Sequence, residues 1–278
     1  MAVQTDDATV RQALRTVGNR TADLIASIDD MERPVPGLDW TVGQVARHVM
    51  VAIRGNAASM SGRPEEFQQF VPDVEGYSAR MAGTISSSLA AEPVRDPKAT
   101  GEALREAVNA LVTQSEQQQP DDAVQTPWYG SGATLPVAMD TRLMIGELLV
   151  HGGDIARGLG RPWPLAKDEV LLVMPAIHAM MPRLFNAAAA RNFTGTFRVR
   201  LRGGDTIGVR IQRGTIDVAP WGAWAGRADC TLSAEPVAYF LLAYGRKGQW
   251  PLIAQGRLLS YGRKPWIALS LRALFVNP

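Results

Sequence analysis

Histidine is a scarce reactive side chain in this 278-residue sequence, which contains three: His48, His151 and His178. Glu147 stands four residues before His151 in the segment MIGELLVHGGDIARG. On a helix, residues at this spacing share one face, so the carboxylate and the imidazole project in the same direction. Both are common zinc ligands, at about 2.0–2.2 Å from the ion. The pair therefore predicts two ligands of one divalent cation, although an isolated pair of this kind is also typical of a helix surface.

His48 is the candidate for a third ligand, in the segment VGQVARHVMVA. A single histidine on an apolar helix face is commonly a core residue. If the helices that carry His48 and His151 face each other, however, two histidines and Glu147 form a three-ligand zinc site. Three protein ligands with an open fourth position are typical of catalytic zinc. Zinc is therefore the predicted metal.

Asp154 follows His151 by about one helical turn. It could orient the imidazole of His151 as a carboxylate behind the ligand, or it could face solvent near the helix end. Zinc can also activate water, and Asp154 could then be the general base of a hydrolase. The sequence leaves these alternatives open.

Other reactive side chains have simpler interpretations. His178 lies among Met and Leu residues, which favours a buried structural histidine over a substrate contact. Cys230, the single cysteine, is predicted to be a small buried apolar residue in a strand. With one cysteine there is no intrachain disulfide, and a reactive thiol would have to come from solution. The adjacent Trp128 and Tyr129 either line a pocket or cover the protein interior.

Helical periodicity dominates the first two thirds of the chain. Apolar spacing predicts helices over residues 5–30, 41–62, 99–119 and 137–159, and a fifth helix over 166–185. Thr41 and Gln44 have the form of a capping box at the start of the second helix. Gly160, followed by Pro162, is typical of a helix end. Four long helices with loops between them predict a helix bundle.

After Arg191 the apolar period changes from about 3.6 to 2. Three strands over residues 196–204, 206–212 and 215–220 predict a meander, followed by a strand near 228–233 and a short helix from 235. Residues 252–262 predict a strand or turn, and residues 264–275 a closing amphipathic helix. Arg198, Arg200 and Arg202 alternate along the first strand, which favours a solvated face over an anion site. We expect an α+β protein of two domains, residues 1–188 and 189–278.

Composition restricts the class of protein. The chain is 46% hydrophobic and 20% charged, a balance typical of a water-soluble globular protein. Its 29 basic and 27 acidic residues leave no excess positive charge, so we expect no nucleic-acid partner. We expect no membrane association, because no apolar stretch approaches the roughly 18 residues of a membrane span. The N-terminal segment MAVQTDDATVRQAL does not resemble a secretory signal, and we expect a cytoplasmic protein.

Two segments carry a family resemblance. PVPGLDWTVGQVARHV, with Trp40 and Thr41 before His48, and GELLVHGGDIARGLGRPW, with Glu147 and His151, resemble the mycothiol-dependent maleylpyruvate isomerase family. The resemblance implies a DinB-like four-helix bundle in which these two histidines and the glutamate hold the metal. The segments ADCTLSAEPVAYFLLAYGRKG and IAQGRLLSYG resemble the sterol-carrier-protein-like α+β domain often attached to such bundles.

The resemblance implies a zinc-dependent enzyme with mycothiol as its thiol cofactor or co-substrate. Such an enzyme would isomerise an activated alkene or transfer the thiol to an electrophilic small molecule. Arg246, in a Gly-Arg position typical of the attached domain, is implied as a catalytic or substrate-binding residue. Gly153 departs from the family, which commonly has a bulky aromatic residue there, so the substrate does not carry over with the fold. The alternatives are a non-catalytic protein that binds lipids or small molecules, and a metal-binding regulator.

Overall fold

The structure is a computed structural model that describes residues 6–224 and 226–276. Its chain divides into two compact units, the first ending at Leu165 and the second beginning at Ala166. Among the described residues, no helix combines the length and the apolar character needed to cross a bilayer.

The first unit is built from helices and one short hairpin. Its helices are α1 (Asp7–Ala26), α2 (Val42–Met60), α3 (Glu65–Gln68), α4 (Tyr77–Ala91), α5 (Pro97–Glu116) and α6 (Val137–Leu159). Strands β1 (Ala123–Gln125) and β2 (Thr134–Pro136) pair antiparallel in the loop before α6.

Four long helices form the bundle that the apolar spacing predicts. Helices α1 and α2 each pack against both α5 and α6, so that α2 and α6 are neighbours. Val42, at the start of α2, lies against Gly158, near the end of α6, and the two helices therefore run antiparallel. The interior is apolar where α1 meets α5, with Leu14, Leu104 and Leu111 completely buried.

The second unit is an α+β domain with one mixed sheet. Its elements are α7 (Lys167–Leu184), β3 (Thr194–Leu201), β4 (Thr206–Gln212), β5 (Thr215–Pro220), β6 (Cys230–Ala234), α8 (Pro236–Ala243), α9 (Gln249–Ala254), β7 (Leu258–Tyr261) and α10 (Ala268–Leu271). The strand order is β5-β4-β3-β6-β7. Strands β3, β4 and β5 form the predicted meander, whereas β6 pairs parallel with β3. Phe197 of β3 and Phe240 of α8 are among the largest completely buried side chains.

The structure differs from the sequence prediction in several places. Helix α4 and the β1–β2 hairpin were not predicted, and the closing helix expected over 264–275 is reduced to α10 between two short 3-10 turns. Helix α7 packs on α8 and β5, so the compact units divide at Leu165 and not at residue 188. Whether residues 1–188 and 189–278 fold independently stays a prediction.

Candidate metal centre

The start of helix α2 is held at several points close to His48. Both bonds of the capping box form: the hydroxyl of Thr41 accepts from the backbone N–H of Gln44, and the amide oxygen of Gln44 accepts from the N–H of Thr41. Gly43 lies so close to the preceding loop that a Cβ there would stand 2.8 Å from the carbonyl oxygen of Met31. These contacts fix the first turns of α2, and His48 therefore faces a defined position.

Helix α6 supplies the other two candidate ligands from a single face. Its end is fixed by Gly158, where a Cβ would lie 2.4 Å from Val42, and by Gly160, which adopts a left-handed conformation at φ 66°. Glu147 and His151 therefore stand on the α6 face opposite the first two turns of α2. The predicted helical spacing of this pair is present.

The three side chains converge on one point. The Nε2 atoms of His48 and His151 lie 3.9 and 3.3 Å from Oε2 of Glu147. One ligand atom from each of the three residues lies within 4.8 Å of the others. Four ligands arranged tetrahedrally at about 2.05 Å from zinc are separated by roughly 3.3 Å. The donor set and its spacing thus fit a divalent cation after a small contraction, and the side chains are 12–24% exposed.

Asp154 supports the imidazole of His151 from behind. Its Oδ2 lies 3.2 Å from Nδ1 of His151, and its Oδ1 accepts a hydrogen bond of 2.8 Å from Arg157. Asp154 is completely buried, so it does not face solvent. Because the bond to Asp154 holds the proton on Nδ1, the lone pair of Nε2 points toward Glu147 and is available to a metal. Arg157 was not singled out in the sequence, although its three-residue spacing from Asp154 is the signal that could have identified it.

The electrostatics of the centre favour positive charge. Burial alone would lower the pKa of His151, but hydrogen bonds and the negative charges of Asp154 and Glu147 outweigh it and raise the pKa to about 9. The same carboxylates that attract this proton would attract a divalent cation.

An aromatic side chain packs against α6 beside the turn that carries His151, from a position that was not predicted. The indole of Trp163 lies over Gly152 and Gly153, where added Cβ atoms would stand 2.2 and 3.3 Å from the ring. Its N–H donates to the carbonyl of Leu149, and the guanidinium of Arg20 lies 4.7 Å from the ring centre. The aromatic volume that Gly153 lacks therefore comes from the loop after α6. Trp163 lies in the motif GELLVHGGDIARGLGRPW, but its contact with Gly152 and Gly153 was not predicted.

Two of the remaining candidates are buried in the second unit. His178 is buried, its pKa is lowered to about 4 by burial, and its ring meets Tyr239 edge to face at 5.9 Å. Cys230 is completely buried, and burial raises the pKa of its thiol. Both environments suit structural residues.

The arginines of the second unit have local partners. Arg198 lies over the ring of Trp221 and Arg202 donates to the carbonyl of Gly256, while Arg200 is exposed. Arg246 follows α8 and donates to the carbonyl of Tyr244 at 2.8 Å. Its catalytic or substrate-binding role stays a prediction.

Trp128 and Tyr129 lie in the first unit, in the loop between β1 and β2. Trp128 is buried, and the ring of Tyr129 stacks on Tyr77 of α4 with ring centres 6.1 Å apart. Their contacts join the loop to α4.

Comparisons with known proteins agree with this architecture. A family model described as the mycothiol maleylpyruvate isomerase N-terminal domain matches residues 14–156, and a model of the SCP-2 sterol transfer family matches residues 181–262. A crystal structure of the mycothiol-dependent maleylpyruvate isomerase is 13% identical, with a TM-score of 0.53, over 92% of this chain and 93% of that one.

Other comparisons are more distant. A structure of a UbiJ-SCP2 ubiquinone synthesis protein is 24% identical over 37% of this chain and 88% of its own, with a TM-score of 0.30. An inverting sec-alkylsulfatase from Pseudomonas sp. is 15% identical over 51% of this chain and 24% of its own, with a TM-score of 0.35. No curated protein sequence matches.

The first family model contains all three convergent side chains. His48, Glu147 and His151 lie within residues 14–156, which are more than half of the 278 residues. The chain therefore belongs to the family of the mycothiol maleylpyruvate isomerase N-terminal domain.

Proposed function

We propose that this protein is a zinc-dependent enzyme that uses mycothiol to isomerise an activated alkene in a small electrophilic substrate. One observation carries the proposal: the ligand atoms of His48, Glu147 and His151 lie within 4.8 Å of one another. Two imidazoles and one carboxylate form a donor set that suits zinc and leaves a coordination position for another ligand. Membership of a family named for mycothiol suggests that this ligand is a thiol.

Zinc, when bound, supplies a Lewis acid that keeps a thiol deprotonated near neutral pH. The protein's own residues hold and orient this centre. Asp154 fixes the imidazole of His151, and Arg157 neutralises the second oxygen of Asp154. Cys230 is buried in the second unit, so the chain's own thiol is a poor nucleophile. A thiol from solution has to supply the sulfur.

The contacts of Asp154 also argue against a hydrolase. A hydrolytic mechanism needs a general base beside the attacking water. Both carboxylate oxygens of Asp154 are engaged, one with His151 and one with Arg157, and Glu147 belongs to the ligand set. A thiolate nucleophile needs no such base.

The proposed reaction conserves the thiol. The thiolate sulfur adds to one alkene carbon, and the electron pair of the double bond moves into the adjacent carbonyl group as an enolate. Rotation about the resulting single bond is followed by return of the electron pair, which re-forms the double bond and expels the thiolate. If the enolate is protonated before expulsion, the sulfur stays attached and the product is a thiol adduct. Because low-molecular-weight thiols remain reduced in the cytoplasm, we place the reaction there.

The test is turnover of maleylpyruvate by zinc-loaded protein with and without mycothiol. We expect isomerisation that requires mycothiol and leaves its concentration unchanged. Consumption of mycothiol with formation of an adduct would identify a transferase instead, and equal rates without any thiol would contradict the proposed mechanism. Metal analysis of untagged protein addresses the non-catalytic alternative, because a purely structural bundle predicts no stoichiometric zinc.

A further inference from the structure

The loop that precedes α2 is a short closed segment. The backbone N–H of Val35 donates to the carbonyl of Trp40 at 2.9 Å, and Pro34 and Thr41 form an antiparallel bridge beside this bond. Trp40 stands directly before Thr41, the residue that caps α2. Residues 34–41 are therefore held together as one segment, and the position of this segment also fixes the side chain of Trp40 relative to the first turns of α2.

The ring of Trp40 contacts the imidazole of His48. The two ring centres lie 5.2 Å apart, with the planes inclined by 74°. The imidazole of His48 also contacts that of His151, with centres 4.8 Å apart and planes at 84°. Such edge-to-face arrangements are favourable for aromatic pairs. Because the last side-chain torsion of a histidine has a broad energy minimum, contacts of this kind are needed to set the direction of its ring nitrogens.

Arg157 attaches the same loop to the end of α6. Its Nε donates to the carbonyl of Pro36 at 2.9 Å, while its Nη2 donates to Oδ1 of Asp154 at 2.8 Å. The loop also packs on this helix end, where a Cβ on Gly158 would stand 3.4 Å from the side chain of Val35. One guanidinium therefore binds a loop carbonyl and a buried carboxylate at the same time.

These contacts connect the two histidines by a second route, in addition to the direct contact of their rings. The route starts at His151 and runs through Asp154, Arg157 and the closed loop to Trp40, which contacts the second histidine. A guanidinium suits the middle of this route, because its five N–H donors have a fixed planar geometry that can serve two acceptors.

We propose that Arg157 and Trp40 are positioning residues that hold the two histidine ligands at a fixed separation, with residues 34–41 as the link between them. This inference rests on the proposed metal-dependent function. It assigns to one arginine an effect on both ligands: on His151 through Asp154, and on His48 through the loop and Trp40. Ligands that are already fixed lose less conformational entropy when a metal binds, so these contacts should raise metal affinity.

The first experiment measures Zn²⁺ affinity of the full-length protein by competition with a chromophoric chelator. For Trp40→Leu we expect the affinity to fall about three- to tenfold, the equivalent of one lost aromatic contact. Trp40→Phe, which restores a ring, should recover most of the affinity. The matched control is Trp128→Leu, which removes a buried indole of the first unit from a 3-10 turn beside α3 and α4 and should leave zinc affinity unchanged.

The absorption spectrum of the Co²⁺-loaded protein separates positioning from general destabilisation. Its visible bands depend on the geometry of the ligands. We expect Trp40→Leu to change these bands, whereas Trp40→Phe should resemble the wild type. A lower melting temperature of Trp40→Leu with wild-type zinc affinity and cobalt spectrum would mean that Trp40 serves the fold alone, and would overturn the inference. Should Trp40→Leu fail to fold, Trp40→Met, whose flexible apolar side chain fills irregular space, takes its place.

A double-mutant cycle tests the link between the two residues. Arg157→Met keeps an apolar stem and removes both hydrogen bonds, and we expect zinc affinity to fall about tenfold or more. Because Arg157 acts on His48 through Trp40, Trp40→Leu should cost less affinity in the Arg157→Met protein than in the wild type. Fully additive effects would overturn the link. Arg161→Met is the matched control, since Arg161 donates to Ser27 in the loop after α1 at 2.6 Å and should not affect zinc affinity.

The outcomes also separate this inference from the proposed function. Wild-type protein that binds neither Zn²⁺ nor Co²⁺ stoichiometrically would contradict the proposed function itself. Wild-type protein that binds both ions, together with Trp40 and Arg157 variants that match its zinc affinity and cobalt spectrum, would overturn the inference alone.

Discussion

The two halves of the helix bundle have opposite interiors. Where α1 meets α5, glycines allow the two helices to approach closely: a Cβ on Gly18 would stand 2.7 Å from Val108, and one on Gly101 would stand 2.6 Å from the carbonyl oxygen of Ala22. The buried hydroxyls of Thr21 and Thr100 are satisfied by carbonyls of their own helical turns.

Helices α2 and α6 carry more buried polar groups among their apolar side chains, and some of these groups are unsatisfied. Three candidate ligand side chains converge, Asp154 is buried behind them, and oxygens of Asn56 and Asp140 have no hydrogen-bond partner in the described part of the chain. The contrast suggests a division of labour, in which the α1–α5 half stabilises the fold and the α2–α6 half carries the proposed metal ligands and buried polar groups that destabilise it. Four predictions test this division, from the largest expected effect to the smallest.

Replacing a proposed metal ligand of the α2–α6 half should abolish the proposed activity. For His151→Ala we expect loss of stoichiometric zinc and a fall in thiol-dependent turnover of more than about 100-fold, because two protein ligands hold zinc poorly. Zinc per chain after dialysis and the initial rate measure these effects. The matched control is His178→Gln, a histidine of the second unit at which zinc content should not change. Retention of one zinc per chain by His151→Ala would disprove the ligand assignment.

Asp140 should make stability depend on pH. Burial raises the pKa of its carboxyl from the ordinary value of 3.8, which applies to the unfolded chain, to about 7 in the folded protein. Between these values the folded chain holds a proton that the unfolded chain lacks, so raising the pH lowers stability, by up to roughly 1.4 kcal/mol per pH unit. The stabilisation is fully present below about pH 4 and is lost as the pH rises through about 7.

The difference in unfolding free energy between wild type and Asp140→Leu isolates this effect, because other titrating groups cancel. Urea unfolding from about pH 4 to pH 8 should favour the leucine variant increasingly as the pH rises. Parallel curves across this range would show that Asp140 is not buried as the structure has it.

Removing the charge behind His151 should weaken the metal site without destroying it. For Asp154→Asn we expect zinc affinity to fall about 10–100-fold, since the amide holds the imidazole less firmly and gives it less basicity. Competition with a chromophoric chelator measures the affinity. Asp23→Asn, which removes an exposed ion pair with Arg105 on the α1–α5 side, is the control and should bind zinc as wild type does. Equal affinities for the two variants would count against a role for Asp154.

Substitutions in the α1–α5 half should change the free energy of unfolding and leave zinc binding unchanged. Gly101→Ala places a methyl group against a backbone oxygen, and we expect a loss of about 1–2 kcal/mol even though alanine is the better helix former. Asn109→Ala, at an exposed position of the same helix, should change the unfolding free energy by less than about 0.5 kcal/mol. Zinc content of the folded protein should not change in either. A stabilised Gly101→Ala would mean that the two helices are less closely packed than described.

Local signals in the sequence predicted much of the α2–α6 half. The capping box of Thr41 and Gln44 identified the start of α2, and Gly160 identified the end of α6. The four-residue spacing of Glu147 and His151 placed both on one face, which the structure contains. The capping box, the terminal glycine and the four-residue spacing can be identified from the sequence because each acts within one or two turns of helix.

Features that depend on distant neighbours were not predictable in the same way. Helix α4, with sequence YSARMAGTISSSLAA, is rich in Ala and Ser and has no strong apolar stripe, so periodicity could not identify it. Strands β1 and β2 contain three residues each, which is too few for an alternation of apolar and polar residues to be recognised. The parallel pairing of β6 with β3 is a choice of partner that neither strand encodes by itself.

The unpartnered groups were missed for a related reason. A single aspartate or asparagine in a helix is commonly exposed, so nothing in the local pattern distinguishes Asp140 or Asn56 from surface residues. Trp163 was overlooked as the cover of Gly152 because the contact joins a loop to a helix face through the tertiary structure.

The positions of the three proposed ligands along the chain have a consequence for folding. Glu147 and His151 come from one helical turn, whereas His48 is about a hundred residues earlier, on the antiparallel neighbour. During folding, α6 can therefore bind a cation weakly through Glu147 and His151 before any tertiary contact exists. His48 can coordinate the same cation only after α2 packs against α6. Closing that long loop costs conformational entropy, part of which would be offset by the last metal–ligand bond. Metal binding would then have two phases in a refolding experiment. The early phase would have low affinity, and the late phase would have high affinity and would report the packing of α2 against α6.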